Sequence, residues 1–152
     1  MSRHIEIIAR GVCIENQCLL VCVKVKSGYG YLPGGHVEFE EGAAAALSRE
    51  FLEECGEGVE CGLPELFHEL TFEQAGKRHH ELSVVFPVKR LSRERAVTSC
   101  ESKIRFEWWP VVTLPDRDLR PAELKAWLMS KQAHRGDTTT GWLSNMHDRH
   151  IP

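Results

Sequence analysis

Three glutamates, Glu50, Glu53 and Glu54, cluster in a stretch that reads as a helix, Ala43 to Cys55. At 100° per residue they fall within about a 100° arc of the helix surface, while Ala44, Ser48, Phe51, Leu52 and Cys55 lie on the other side. Such a helix buries one face and presents three carboxylates from another. Like charges placed so closely repel and destabilise the bare helix, and divalent cations remove that repulsion. Mg²⁺ takes hard oxygen ligands, keeps several waters and bridges substrate phosphates, and Mn²⁺ accepts the same ligands. An acidic cluster on its own usually means a solvated helix face. What argues for chemistry is the sharp turn Pro33-Gly34-Gly35, where glycine allows backbone to approach a site closely, together with Glu41 and Arg49 at fixed spacing.

Elements that could position this cluster flank it. Ile5 to Ile14 reads as a strand with Ile5, Ile7, Ala9 and Gly11 on one face, and Gln17 to Val25 as a second, joined by a tight turn at Glu15-Asn16. Ser27 to Gly30 is a loop leading through Tyr31-Leu32 into the proline-glycine turn. The helix from Ala43 is rich in alanine and closes at Gly56, as glycine does just past a helix end. Val59 to Phe72 holds extended apolar stretches broken by Gly62 and Pro64. Glu81 to Val88 is a strand, with Pro87 marking its end or an edge position. Arg90 to Lys103 is a charged connection, and Ile104 to Val112 a strand carrying Trp108 and Trp109. Pro121 opens a helix through Gln132 whose Leu124, Trp127 and Leu128 form an apolar stripe. Strands alternating with two amphipathic helices imply a sheet covered on both sides.

From Gly35 to Gly56 the sequence runs G-H-V-E-F-E-E-G-A-A-A-A-L-S-R-E-F-L-E-E-C-G. It resembles the Nudix box, G-x5-E-x7-R-E-U-x-E-E-x-G-U, with U a bulky aliphatic residue. Gly35, Glu41, Arg49, Glu50, Glu53, Glu54 and Gly56 occupy its fixed positions. A chance match of this kind would arise on the order of once in 10⁵ chains. Two positions depart from the pattern: Phe51 stands at the first U, and Glu57 replaces the last.

The resemblance, which spans roughly Ile5 to Gln132, implies an α+β Nudix fold: an α/β/α sandwich with a mixed β-sheet, the helix from Ala43 covering one side and the helix from Pro121 the other. It implies a MutT-like, Mg²⁺-dependent hydrolase in which water cleaves the diphosphate linkage of a nucleoside di- or triphosphate derivative, giving a nucleoside monophosphate and a phosphorylated remainder. Metal ligands would be Glu50, Glu53, Glu54 and the carbonyl of Gly35. Arg49 would pair with Glu41 to fix the loop onto the helix, or with Glu53 as a surface pair. A carboxylate, Glu53 or Glu101, would take the proton. In several members a further Glu comes from the loop before the Trp strand; Glu101 is nearest that place and Glu94 is its rival. Tyr29, Tyr31, Phe72 and Trp108 are candidates to stack on a base, and His79, His80 and Glu81 read as surface or structural residues. Markers of ADP-ribose and diadenosine polyphosphate hydrolases are not found, which leaves a nucleoside triphosphate or a small nucleotide sugar.

Composition sets bounds around this reading. The 152 residues suit one domain, 42% hydrophobic and 27% charged, with a formal net charge of −3. No basic stripe suggests duplex nucleic acid, no apolar run could span a membrane, and the start does not read as a signal peptide. Cytoplasm is the expected compartment and a small-molecule nucleotide the expected partner; a homodimer is compatible. The six cysteines form no C-x-x-C pair, so buried, reduced thiols are expected; Cys55, Cys61 and His68 are the one grouping that resembles a zinc site. Two rival classes are a non-catalytic nucleotide-binding regulatory Nudix domain, which would typically have lost box carboxylates, and a zinc or redox protein. Residues 1–132 form the expected domain. The polar tail, 133–152, is expected to be partly ordered, with Trp142 and Leu143 docked on the body or on a second subunit.

Overall fold

The computed structural model describes residues 4–134 and 136–146. In chain order the elements are β1 (Glu6–Val12), β2 (Ile14–Glu15), β3 (Cys18–Lys24), β4 (Gly30–Tyr31), β5 (Gly34–His36), α1 (Ala43–Cys55), β6 (Val59–Cys61), β7 (Leu66–Gln74), β8 (Lys77–Arg90), β9 (Ile104–Pro110), a 3₁₀ turn (Val111–Asp116), α2 (Ala122–Ala133) and β10 (Gly141–Ser144). One mixed sheet runs β10-β7-β8-β1-β5, with β6 also on β8; a second, antiparallel sheet joins β2, β3, β4 and β9. The mixed character comes from β1 and β10, which lie parallel to β8 and β7 respectively.

Alternation along the strands sends side chains to two cores. Ala9, Leu20, Val84 and Phe86 pack with Leu47, Phe51 and Cys55 of α1 on one side. Val12, Leu19, Val21, Val85 and Leu66 pack with Leu114, Leu124 and Leu128 on the other. The expected sandwich of two helices about strands is therefore present. Full burial of a side chain such as Phe51 contributes about 1.5–3 kcal/mol.

Several local expectations are corrected. The β2–β3 turn is Asn16-Gln17, not Glu15-Asn16, because Glu15 pairs with Cys18; both turn residues have positive φ, 49° and 61°, as a two-residue hairpin loop requires. Pro87 ends nothing: β8 continues to Arg90, with the Pro87 carbonyl accepting from the Gly62 amide at 2.9 Å. The Trp strand stops at Pro110, where the chain tightens into the 3₁₀ turn. On α1 the buried residues are Ala46, Leu47, Phe51, Glu54 and Cys55, while Leu52 is exposed. The expected division of the helix was thus rotated: Glu54 lies within the buried stripe, because the sheet meets the helix where the carboxylates are.

In the tail, Gly141 to Ser144 extend the sheet along β7. Leu143 packs against the core, but Trp142 remains 62% exposed, so the pair divides, with only the leucine docked. Residue 135 and residues 147–152 of the expected tail lie outside the described residues.

Candidate active site

The site forms where the turn into β5 meets the second half of α1. Gly34 sits at φ 134°, a conformation L side chains rarely adopt, and a Cβ there would strike the Ala9 carbonyl. This brings β5 against β1, with Ala9 opposite Gly35. Gly35 then presents bare backbone to α1: a Cβ on it would collide with the Glu50 carboxyl group.

Arg49 clamps the loop to the helix. Its Nε and Nη2 donate to both oxygens of Glu41, at 2.8 and 3.0 Å, and Nη2 donates to the His36 carbonyl at 3.0 Å. Its Nη1 reaches Glu50 at 3.1 Å and Glu53 at 3.3 Å. Both pairings of Arg49 weighed from the sequence are therefore formed together. A bidentate guanidinium fixes its partner in a plane, and it holds the Glu41 carboxyl down at about 2.

The three helix carboxylates occupy different environments. Glu53 is the outermost, its side chain 59% exposed. Glu50 lies between Gly35 and Arg49. Glu54 is buried, and its Oε2 has no hydrogen-bond partner among the described residues. Burial pushes the Glu54 carboxyl up to about 7; the charge of Glu50 adds to this, Arg10 opposes it, Glu101 adds further, and the Gly34 backbone opposes. The Cys100 amide donates to the Glu54 carbonyl at 2.6 Å, which brings the chain at Glu101 beside the end of α1, while the Glu101 amide is turned back to Ser99. Glu94 serves differently, its carbonyl accepting from Arg90 at 2.6 Å.

Among the described residues no three His, Cys, Asp or Glu side chains stand already gathered as a metal cage. The donor set nevertheless fits a hard divalent ion: carboxylate oxygens, one of them buried and unpartnered, beside a glycine whose backbone is unobstructed. Glu50 and Glu53 both pair with Arg49, whose positive charge offsets part of theirs.

Both departures from the motif are compensated. Phe51 fills space that Gly11 leaves open, since a Cβ on Gly11 would lie 3.0 Å from the Phe51 ring. Glu57 is buried and accepts from Arg90 at 2.9 Å, while Arg90 also makes two bonds to Glu15. An ion pair takes the place of the missing apolar side chain.

A cleft of about 1040 Å³ opens from Glu50 and Glu54 across the sheet toward α2. Tyr29, Tyr31 and Phe72 line it, as expected of stacking candidates, but Trp108 does not. Trp108 packs on the α1 side, with the guanidinium groups of Arg90 and Arg95 each 5.1 Å from its ring centroid. His79 stacks on Phe72 and His80 approaches Glu69, while Glu81 faces the cleft. The Cys55, Cys61 and His68 grouping is not assembled: Cys61 contacts Ser48 of α1, while His68 lines the cleft. Sequence reasoning passed over Arg10, Lys24 and Arg120, which also line it. Arg10 and Lys24 sit over the Tyr31 ring and Arg120 over Tyr29. Alternation along β1, which places Arg10 on the same face as Ile8, was the signal available.

No helix among the described residues is long and apolar enough to cross a membrane. Comparison with solved structures places the fold firmly. A Nudix hydrolase from Nitrosomonas europaea is 18% identical with a TM-score of 0.72, covering 95% of this chain and 81% of that one. The MutT protein from Methanosarcina mazei Go1 is 18% identical with a TM-score of 0.70, covering 88% and 97%. An ADP-ribose pyrophosphatase from Streptococcus suis is 16% identical with a TM-score of 0.65, covering 91% and 98%. No curated protein matches the sequence significantly. The model of the NUDIX domain matches residues 5–128, and with the box carboxylates, their glycine turn and their arginine clamp in place, the chain belongs to the Nudix hydrolase family.

Proposed function

We propose that this protein is a Mg²⁺-dependent pyrophosphohydrolase that cleaves the diphosphate linkage of a nucleoside di- or triphosphate derivative with water. The observation that carries the reading is the buried, unpartnered Glu54 carboxylate beside Glu50 and the bare Gly35 backbone. Leaving a carboxylate so costs stability, which makes sense where a cation completes the site.

Glu50, Glu53, Glu54 and the Gly35 carbonyl would hold the metal. When bound, Mg²⁺ supplies charge neutralisation at the phosphates and lowers the pKa of the attacking water. The chain's own residues do the rest. Arg49 keeps the β5 turn and α1 in register through Glu41 and the His36 carbonyl. Glu53 and Glu101 are the candidates to take the water's proton, Glu53 by its exposure at the mouth of the site and Glu101 because its neighbour Cys100 bonds to the Glu54 backbone. Arg10 and Lys24 line the cleft and supply positive charge to a chain that is otherwise acidic.

A regulatory, non-catalytic nucleotide-binding domain is disfavoured by the complete carboxylate set. Neighbours of this fold include an ADP-ribose pyrophosphatase and a UDP-X diphosphatase, so the substrate panel should include nucleotide sugars beside nucleoside triphosphates. The test is hydrolysis of that panel with Mg²⁺ or Mn²⁺ and detection of phosphate products, for wild type and Glu53→Gln. Turnover of at least one compound, lowered by orders of magnitude in the variant with an unchanged melt, is expected. Near-normal turnover in the variant would remove Glu53 from the site.

A further inference from the structure

The end of the cleft remote from Glu50 holds a polar group without a partner. His68 on β7 is 1% exposed, and its Nε2 makes no hydrogen bond among the described residues. The imidazole lines the cleft along with Ser83 of β8, which is 6% exposed. An unpaired buried donor or acceptor is costly, so a position that keeps one invites a ligand group to complete it.

Strand register gives the distance. His36 on β5 pairs with Ile8 on β1, Ile8 with Ser83 on β8, and Ser83 with His68 on β7. His68 thus lies three strand spacings from β5, about 14 Å, and β5 is where Glu50 meets Gly35. One nucleoside unit bridges such a gap, its phosphates at the carboxylates and its base at β7.

The walls favour a base over a sugar. Around His68 the lining includes the apolar Ile8, Leu70, Val85 and Leu124 beside Ser83, and Arg120, Glu123 and Lys125 add charged groups where the cleft meets α2. A flat heteroaromatic ring needs apolar faces and a few edge contacts, whereas a hydroxyl-rich ring would need many polar partners.

We propose that His68 is a specificity-determining residue, its Nε2 hydrogen-bonding the nucleobase of the nucleotide substrate. The assignment rests on the nucleotide reading given above. Burial disfavours the imidazolium, with the charge of Glu123 opposing, and a neutral imidazole can read an edge as donor or acceptor according to its tautomer.

The test uses ¹⁵N-histidine-labelled full-length protein with Mg²⁺, titrated with AMP, GMP, CMP and UMP, none of which has a diphosphate linkage to cleave, and with ribose 5-phosphate as the base-free probe. The His68 Nε2 resonance is expected to move with at least one nucleoside monophosphate and to stay still with ribose 5-phosphate. In parallel, His68→Leu is compared with wild type on the four nucleoside triphosphates. The spread of kcat/KM among bases should shrink by about 10-fold or more, mainly through KM. A moving His68 resonance without hydrolysis of any substrate would keep the base subsite and remove the proposed reaction. Hydrolysis with a His68 resonance unmoved by all four nucleotides would overturn the subsite while the reaction stands, with water as the partner of Nε2. Should His68→Leu not fold, the wild-type titration alone decides.

Discussion

Replacing Glu54 with glutamine perturbs stability in a direction fixed by the geometry. The Glu54 carboxyl is buried, one oxygen unpartnered, and raised from its ordinary 4.5 to about 7. Between these two pH values the metal-free native state binds a proton at Glu54 that the unfolded chain does not. Stability therefore falls as pH rises through this window, and the penalty is complete above about pH 7. The raised value corresponds to about 3 kcal/mol between the charged and neutral forms. Glutamine carries no charge at any pH. Urea unfolding in EDTA should show Glu54→Gln gaining about 2.5 kcal/mol over wild type from pH 5 to pH 8, relative to whatever difference exists at pH 5, since part of the window lies below pH 5. Adding Mg²⁺ should reverse the order at pH 8, because only wild type gains the ion's binding energy. A difference between the two proteins that is flat across pH 5–8, or a wild type that becomes relatively more stable at high pH in EDTA, would refute the placement of Glu54 as an uncompensated buried carboxylate.

Arg49→Ala removes the guanidinium that joins Glu41, the His36 carbonyl, Glu50 and Glu53; Mg²⁺ titration of activity should show affinity and kcat/KM each falling about 10- to 100-fold, and Arg49→Lys should not restore them, since lysine cannot make the bidentate pair. Truncation before Gly136 strips β10 from β7, together with two 2.8 Å bonds between Asn145 and the Thr71 backbone and the packing of Leu143. A loss of about 1–3 kcal/mol, read as a melting temperature several degrees lower, is expected, and an unchanged melt would show that β10 contributes nothing to stability.

The carboxylates, the glycine turn and the clamp were legible because each depends on residue type at fixed spacing along one helix and its preceding loop. The helix's outward and inward faces were less so: Leu52 looked buried by its chemistry, yet the sheet contacts α1 nearer to Glu54, and tertiary placement decided the matter. A slip of one residue separated the expected turn from Asn16-Gln17, since the demand for positive φ at both positions is satisfied in three dimensions by pairing Glu15 with Cys18. The burial of Glu57 could not be read from the motif, because its partner Arg90 lies 33 residues away. Arg10 escaped notice, and His68 reads in the sequence only as part of a zinc-like grouping, for a similar reason. Arg10 reaches the site because β1 pairs with β5, where it donates to the Gly34 carbonyl, and His68 because β8 joins β7 to β1, pairings that no strand announces in its own residues.

Hydrolysis in H₂¹⁸O with Mg²⁺, followed by mass spectrometry of the products from a nucleoside triphosphate or nucleotide sugar, tests the central reading most directly. One ¹⁸O atom should appear in a phosphate product for each diphosphate linkage cleaved, with cleavage abolished by EDTA. Failure of every compound to yield a nucleoside monophosphate, or cleavage that proceeds unchanged in EDTA, would contradict a metal-assisted attack of water on the diphosphate.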